Sequence, residues 1–370
     1  MATSLPTTMR SLVAPKYCWP VDYEVADMPL PTINGPKDIL INIHAAGIAT
    51  GDTQVTRGGI RFLLGGLEMP YKIGIEGAGV VVAVGTEVKS FKPGDEVYAF
   101  AVSRPMNMTV AAGFCSQYTI ATEKLTLHKP ANSTFEDVCN LASVVTAYQS
   151  IEIGLQKMRE NGVTDGLEGK TVLVPGALSA TGSVAIQLLK NVYGVGKLIT
   201  TVSTAKIPLV EKYLPGLVDQ IIDYTKVAKL TDAIPAASVD FVYNTQWGVT
   251  SMFPLLKPDT GVAASITSVP TPGLLRQMLP PLPFFVYWFA ALSQLWYAFQ
   301  TRGTRIQHFM HSGNPGARED LEQAGEFLAT GKVEPITKVV ELEDIEALRR
   351  EAQKVATGKG GIGKLVVKIA

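Results

Sequence analysis

A short turn of small residues, between a predicted strand and a predicted helix, is the segment of this sequence best suited to bind a ligand. The apolar run 170–175 predicts a buried strand, and the pattern after Gly182 predicts a helix. A helix N-terminus offers unpaired N–H groups and a positive dipole end to phosphate, and small residues let the backbone approach closely. This is the context that a dinucleotide pyrophosphate site requires. The residues predicted to form it are Gly176, Ser179, Ala180, Thr181 and Gly182.

The end of the next predicted strand indicates which dinucleotide is expected. NAD-specific folds place an acidic residue there to accept hydrogen bonds from the ribose hydroxyls. Residues 199–206 contain no acid. Ser203 and Thr204 can donate hydrogen bonds to a 2′-phosphate, and Lys206 can pair with it. The sequence therefore favours NADPH as cofactor, and the alternative is that Lys206 is a solvated lysine at the start of a helix.

Residues 73–100, which read IGIEGAGVVVAVGTEVKSFKPGDEVYAF, resemble the medium-chain dehydrogenase/reductase superfamily. Zinc-dependent members carry a Gly-His-Glu triplet where this sequence has Gly74, Ile75 and Glu76. Their other two ligands correspond to Ala49 and Ala142. Alkyl side chains cannot coordinate zinc, which needs thiolate, imidazole or carboxylate. The resemblance is thus to the zinc-independent branch of quinone oxidoreductases and enoyl reductases, and no metal is expected.

The resemblance also implies roles for individual residues. Thr146 matches a residue near the nicotinamide, Asp52 follows the lost first ligand position, and Tyr71 lies where some enoyl reductases have a proton donor. Thr146 and Tyr71 each have a plainer interpretation, as a helix-start threonine in the core and as a packing tyrosine. Ser179 replaces the middle glycine of the branch's A-x-x-G-x-x-G pattern. Because serine disfavours a positive φ, we expect it either to displace the pyrophosphate or to bond it.

Further cofactor contacts complete the expected set. A tyrosine after the third strand packs over the adenine end in the reductase branch, and Tyr224 is in that position. The other residues assigned to the cofactor are Asn244 and Lys364. The reaction that the resemblance implies is hydride transfer from NADPH to an apolar conjugated acceptor, such as an enone, an enoyl thioester or a quinone. The alternative is a non-redox isomerase or cyclase, or a nucleotide-sensing protein, on the same fold.

The alternation of elements predicts an α/β protein of two domains. Short apolar runs separated by Gly and Pro predict a β-rich domain, which resembles the GroES-like catalytic domain of the superfamily. Strands that alternate with helical stretches predict a doubly wound parallel sheet, the Rossmann type. We assign residues 1–144 and 312–370 to the first domain. Residues 145–311, with an apolar insert near 280–300, form the second.

Charge, cysteine spacing and the N-terminal segment indicate which partners and which compartment to expect. The 370 residues include 33 basic and 33 acidic side chains, so the sequence gives no electrostatic reason to expect nucleic acid. The three cysteines are far apart in the sequence, which favours a reducing compartment. Because the N-terminus lacks the apolar region of a signal peptide, we expect a cytoplasmic protein.

One uncharged segment, residues 282–299, reads LPFFVYWFAALSQLWYAF. As a helix it would be about 27 Å long, near the thickness of a bilayer's hydrocarbon core. A membrane span is disfavoured because the later sequence resembles the returning part of the first domain. The segment is expected either to bury itself in a dimer interface or over an apolar pocket, or to lie on a membrane surface. Expected partners are therefore a small apolar substrate, a second copy in a homodimer if the protein is not a monomer, and a membrane surface.

Overall fold

The computed structural model describes residues 5–59, 61, 66–101, 105 and 113–370. The strands, in chain order, are β1 Thr8–Ala14, β2 Glu24–Pro29, β3 Asp38–Ile48, β4 Tyr71–Lys72, β5 Glu76–Val84, β6 Glu96–Phe100, β7 Tyr118–Thr122, β8 Thr126–His128, β9 Thr171–Pro175, β10 Lys197–Val202, β11 Gln220–Asp223, β12 Phe241–Asn244, β13 Val262–Ser265, β14 Gln307–Met310, β15 Thr337–Glu341 and β16 Lys364–Lys368. The α-helices are α1 Thr50–Thr56, α2 Leu141–Glu160, α3 Ala180–Asn191, α4 Ile207–Tyr213, α5 Pro272–Met278, α6 Phe284–Gln300, α7 Arg318–Ala329 and α8 Ile345–Thr357.

The chain divides into two compact units. The first comprises residues 1–142, 315–329 and 337–370, and the second comprises 143–314 and 330–336. Residues 143–144, 312–314 and 330–336 therefore group with the second unit, whereas the sequence assigned them to the first domain. The last of these segments is held against α3, because the Gln187 side chain bonds both backbone groups of Glu334, at 2.9 and 2.7 Å.

The first unit is built mainly of β-structure. One sheet has the order β15-β16-β3-β5-β6-β8, with β7 also paired to β3, and a smaller sheet has the order β2-β1-β4. The long strand β3 contributes Ile39, Ile41 and Ile43 to the hydrophobic core, each fully buried. The strand at the C-terminus, β16, pairs with β3, so residues far apart in sequence form one sheet.

The second unit contains a six-stranded sheet in the order β11-β10-β9-β12-β13-β14, with all five pairings parallel. Renumbered from β9, this is the order 3-2-1-4-5-6 of dinucleotide-binding sheets. Every residue of β12 and β13 is buried, as expected for strands covered on both faces. The predicted α/β class, with a β-rich domain and a doubly wound parallel sheet, is confirmed.

The apolar segment 282–299 forms most of α6, which begins at Phe284 after a lead-in that includes Pro280, Pro281 and Pro283. Proline fixes φ and cannot continue a helix from within, which explains where α6 begins. Among the described residues, no helix combines the length and the hydropathy that crossing a bilayer requires.

The contact between α2 and the parallel sheet gives a test of the packing in the second unit. A Cβ built on Gly154 would overlap the ring of Phe241. We expect Gly154→Ala to lower the free energy of unfolding by about 1–3 kcal/mol through overpacking, although alanine is the better helix former by about 1 kcal/mol. Urea unfolding measures the change.

The control is Gly51→Ala in α1, where nothing lies within 4 Å of the added carbon. It is expected to leave stability unchanged or to raise it by up to about 1 kcal/mol. A Gly154→Ala protein as stable as the Gly51→Ala protein would contradict the close packing of α2.

Candidate functional site

The turn from Gly176 to Gly182 connects the carboxyl end of β9 to the start of α3. Gly176 has φ +74°, and a Cβ there would lie 2.8 Å from Gln246 Nε2 and 3.0 Å from Thr245 Oγ1. A Cβ on Gly182 would lie 2.6 Å from the carbonyl oxygen of Gly176. The two glycines thus let the backbone fold tightly at the end of β9.

Ser179 is the N-cap of α3. Its φ of −77° and ψ of 156° are extended, and its Oγ accepts a hydrogen bond from the Gly182 N–H at 3.1 Å. The expectation that serine would meet an unfavourable positive φ here is therefore corrected, because this position requires an N-cap. Ala180 and Thr181, the first two residues of α3, are only partly buried, so this helix start is accessible.

The carboxyl ends of β10 and β11 bring the predicted ribose-binding residues next to an acid. Thr204 Oγ1 donates to Asp223 at 2.5 Å, and the Thr225 hydroxyl donates to the same carboxylate at 2.6 Å. These hydrogen bonds, with the Thr204 bond the larger effect, lower the pKa of Asp223. In this structure the proton of Thr204 is thus donated to Asp223, and its role as a donor to phosphate stays a prediction.

Ser203 and Lys206 are the remaining predicted phosphate contacts on this edge. Ser203 follows β10 and is partly exposed, and Lys206 precedes α4 and is half-buried. Burial lowers the pKa of Lys206, so a nearby phosphate would favour its charged form. Tyr224 lies between Asp223 and Thr225 with 55% of its surface exposed, which leaves its ring open to a planar ligand.

Asn244 is the last residue of β12, and its side chain is engaged in hydrogen bonds within the protein. Its Nδ2 donates to the Gln246 carbonyl at 2.6 Å and to Ser265 Oγ at 2.9 Å, and its Oδ1 accepts from the Gln246 N–H at 3.0 Å. It is fully buried. The structure thus shows a structural role, in which Asn244 holds the Gln246 loop beside Gly176, and the cofactor contact stays a prediction.

In the first unit, two carboxylates bind the backbone at or beside the positions that the resemblance equates with zinc ligands. Asp52 accepts hydrogen bonds from the N–H of Ala49 at 2.7 Å and from that of Gly74 at 3.2 Å. Glu76 accepts one from the N–H of Ala142 at 2.8 Å. Two of these amides belong to Ala49 and Ala142 themselves, and the third belongs to Gly74, the residue before Ile75.

Asp52 is 3% exposed, and each of its oxygens faces a backbone amide. Burial raises its pKa to about 6, against the opposing effect of the backbone bonds and of Lys364. Its geometry is that of a buried cap on α1 that positions the Ala49 and Gly74 backbones, and its catalytic role stays a prediction.

Lys364 is also buried, at 3% exposure, and it forms a short ion pair with Glu76. Its charge is thus engaged by a carboxylate, and its role as a cofactor contact stays a prediction. Cys115 and Cys139 lie close by, and burial raises the pKa of both thiols well above their ordinary value. These cysteines are therefore protonated and unreactive at neutral pH.

The remaining two predicted catalytic residues have different surroundings. Tyr71, in β4, is 5% exposed and belongs to the hydrophobic core, and burial raises its pKa. The structure thus supports its interpretation as a packing tyrosine. Thr146 lies in α2, partly buried, with its hydroxyl so close to Gly313 that a Cβ there would overlap it. Its role near the nicotinamide stays a prediction.

Sequence reasoning missed Asp223 and Gln246. Asp223 directly precedes Tyr224, the residue that the sequence assigned to the adenine. Its partner Thr204 is 19 residues away, and only strand pairing brings the two together. Gln246 follows β12 and lies beside the turn at Gly176, and no sequence motif marks it. Within the described ranges, no three His, Cys, Asp or Glu side chains group in a way that could hold a metal ion.

Comparison with known proteins agrees with this architecture. Residues 35–131 match the alcohol dehydrogenase GroES-like domain. This match, the relatives in sequence and the fold support the resemblance to the medium-chain dehydrogenase/reductase superfamily. Its fold is that of the quinone oxidoreductase from Coxiella burnetii, with a TM-score of 0.73 at 20% identity over 98% of this chain and 100% of that one.

Two plant enzymes are among the relatives in sequence. A 2-methylene-furan-3-one reductase of Solanum lycopersicum is 35% identical over 189 residues, 51% of this chain and 45% of the relative. A chloroplastic NADPH-dependent alkenal/one oxidoreductase of Arabidopsis thaliana is 35% identical over 188 residues, with the same coverage. The alignments thus span about half the length of these relatives.

The raised pKa of Asp52 predicts a specific dependence of stability on pH. Its folded pKa of about 6 exceeds the ordinary 3.8, so its contribution is fully present below about pH 3.8 and is lost as pH rises through 6. Between pH 7 and pH 5, the free energy of unfolding of the wild type should therefore increase by about 1 kcal/mol relative to Asp52→Asn.

Chemical denaturation at several pH values measures this difference, and other titrating groups cancel between the two proteins. The exposed Asp259→Asn is the matched control. Parallel profiles for the wild type and Asp52→Asn would contradict the burial of a titrating Asp52.

Proposed function

We propose that this protein is a zinc-independent, NADPH-dependent reductase that transfers hydride to a small apolar, conjugated acceptor such as an enone, an enoyl thioester or a quinone. The observation that carries the proposal is the capped, accessible helix start of α3, which follows the Gly176 turn at the carboxyl end of β9. In a sheet with the order 3-2-1-4-5-6, that edge is where dinucleotides bind.

The residues at this edge suit the phosphates of NADPH. The backbone from Ser179 to Gly182 would hold the pyrophosphate through the N–H groups and dipole of α3. Ser203 and Lys206 would hold the 2′-phosphate, and Tyr224 would cover the adenine. The charge of Asp223 opposes a phosphate, but its oxygens already accept three hydrogen bonds from Thr204 and Thr225. The Arabidopsis relative is an NADPH-dependent oxidoreductase, which supports the same choice.

Zinc independence rests on the chemistry of the first unit. Ala49, Ile75 and Ala142 offer only alkyl side chains where related enzymes have ligands. Asp52 bonds two backbone amides, and Glu76 bonds Lys364 and a third amide. A metal would have to replace these bonds, which would leave buried amides and an ammonium unpaired.

NADPH supplies a hydride when it is bound. The conjugated acceptor spreads the resulting negative charge over its own atoms, so the protein needs mainly to orient the acceptor and exclude water. A proton then completes the reduction. Thr146 is the predicted residue best placed to hold a hydrogen bond near the acceptor, since Asp52 and Tyr71 are buried in structural contacts.

A second function is favoured by that same burial. If neither Asp52 nor Tyr71 can deliver a proton, the fold is also suited to a non-redox isomerase or cyclase, or to sensing a nucleotide. In either case NADPH would bind without being oxidised. We also propose, from the resemblance to the superfamily, that it works as a homodimer or monomer.

Turnover separates these functions directly. Purified protein should oxidise NADPH, followed by absorbance at 340 nm, when it is supplied with a panel of enones, enoyl thioesters and quinones. The rate should be unchanged after dialysis against a chelator, because no step depends on zinc. Tight NADPH binding by calorimetry without oxidation of any acceptor would favour the sensing or isomerase function instead.

The preference for NADPH over NADH tests whether Lys206 binds the 2′-phosphate. Lys206→Gln should raise the KM for NADPH by about 10- to 100-fold while leaving that for NADH nearly unchanged, because a charged hydrogen bond to phosphate contributes about 1.5–3 kcal/mol. Lys212→Gln removes the same charge from an exposed position on α4 and serves as the control. Equal effects of Lys206→Gln on both cofactors would refute the assignment of the 2′-phosphate to this lysine.

A further inference from the structure

The helix α6 exposes large apolar side chains along one face. At about 100° per residue, eight positions of α6 cover a continuous arc of about 140°, and every position in that arc is a large hydrophobic residue. Each of the eight is more than half exposed. This surface, called here the apolar face, consists of Phe284, Phe285, Trp288, Phe289, Leu292, Leu295, Trp296 and Phe299.

The opposite side of α6 fixes the helix to the second unit. Ala290 is 1% exposed, and Gln294 Nε2 donates to the Val269 carbonyl at 3.0 Å. The Tyr297 hydroxyl accepts from the Val269 N–H at 3.3 Å, and its ring packs edge-on against His308 with 4.5 Å between centroids. A surface helix normally turns its polar side to solvent, whereas α6 has the reverse arrangement.

The apolar face is larger than an ordinary monomer surface carries. Side chains of this size have roughly 200 Å² each, so eight that are more than half exposed present on the order of 1,000 Å². The largest apolar patch on a typical monomer is about 300–600 Å². An exposed surface of this size marks a place where something else binds.

The charged side chains of the sequence around α6 have one sign. Between Asp259 and Arg305 the sequence has no acidic residue, and its charged side chains are Arg276, Arg302 and Arg305. The Arg276 guanidinium lies 4.6 Å from the ring centroid of Tyr287, and that of Arg302 lies 4.3 Å from that of Phe299. Cations are thus held beside the helix, one near each end of the apolar face.

We propose that the apolar face docks into the surface of an anionic lipid bilayer, with α6 lying in the plane of the interface. An aromatic-rich helix flanked by arginines has the composition of such interfacial helices. Trp and Phe enter the boundary between headgroups and acyl chains, while arginines contact anionic headgroups. The proposal goes beyond the proposed function and does not depend on it.

A second copy of the chain fits this face less well than lipid. A two-fold dimer would place the same surface on both sides, and this segment supplies arginines with no carboxylate to pair with them. Protein interfaces also carry about one hydrogen bond per 100–200 Å². The side chains of the apolar face offer only the indole N–H groups of Trp288 and Trp296.

Flotation with liposomes tests the proposal on the full chain. Wild-type protein should float with vesicles of phosphatidylcholine and phosphatidylserine, and more weakly with phosphatidylcholine alone. Leu292→Glu combined with Phe299→Glu places two charges at the centre of the face and should reduce partitioning at least 100-fold. Ala291→Glu combined with Ala298→Glu adds the same charge at exposed positions outside the arc, and this control should stay within about threefold of the wild type.

All four positions are exposed, so the variants should melt like the wild type. Arg276→Gln with Arg302→Gln should lower the preference for anionic vesicles about fivefold per arginine, with a weaker dependence on salt. In a Trp19→Phe, Trp247→Phe background, brominated lipid should quench the emission of Trp288 and Trp296.

Two results would overturn the proposal. One is that wild-type protein fails to float with either vesicle composition. The other is equal flotation of the two glutamate double variants, which would show that binding does not use the apolar face. Light scattering on the wild type separates the remaining explanation, since a stable dimer that Leu292→Glu with Phe299→Glu dissociates and that ignores vesicles would assign the face to a second copy.

Discussion

The buried ion pair between Glu76 and Lys364 is the interaction on which the first unit depends. It joins the start of β5 to the start of β16, across 288 positions of sequence, with both side chains at or below 3% exposure. Removing one partner of such a pair leaves a buried charge, which typically costs about 3–5 kcal/mol. A Cβ on Gly47, in the strand between them, would lie 2.6 Å from Lys364 Cε, so β3 needs glycine for the pair to fit.

The pair also sets the local chemistry. With one oxygen on Lys364, Glu76 uses the other to hold the Ala142 amide, while Asp52 holds Ala49 and Gly74. In this cluster the carboxylates bind backbone amides, and the residues that carry those amides have small alkyl side chains or none. The turn at Gly176 differs, because there the side chains are small and the backbone at the start of α3 is accessible. The first unit thus buries these charged groups against its own backbone, whereas the second unit leaves a helix start open.

What could be predicted from the sequence depends on how local the determining interaction is. The Gly176 turn and the helix start after Ser179 follow from residues within one turn of each other, and the α/β class follows from the alternation of patterns. The engagement of Thr204 by Asp223, of Asn244 by Ser265 and of Lys364 by Glu76 depends on strand pairing, which no short window encodes. The burial of Tyr71 likewise depends on the sheet around β1 and β4, so the sequence left its catalytic and packing interpretations open.

The sequence predicts that the helix α6 exists but does not predict which of its faces is exposed. Its sequence reveals a helix that is apolar on nearly every face, so it could not reveal which arc faces water; the contacts of Gln294 and Tyr297 decide that. The apolar face is exposed in the folded chain and in the unfolded chain alike, so it contributes little to the free energy of folding. At about 25 cal/mol per Å², burying on the order of 1,000 Å² would contribute roughly 25 kcal/mol before the losses of association are subtracted. That free energy is available only to binding, and with arginines alone at its margins the face is matched to an acidic, fluid, apolar partner better than to a folded protein surface.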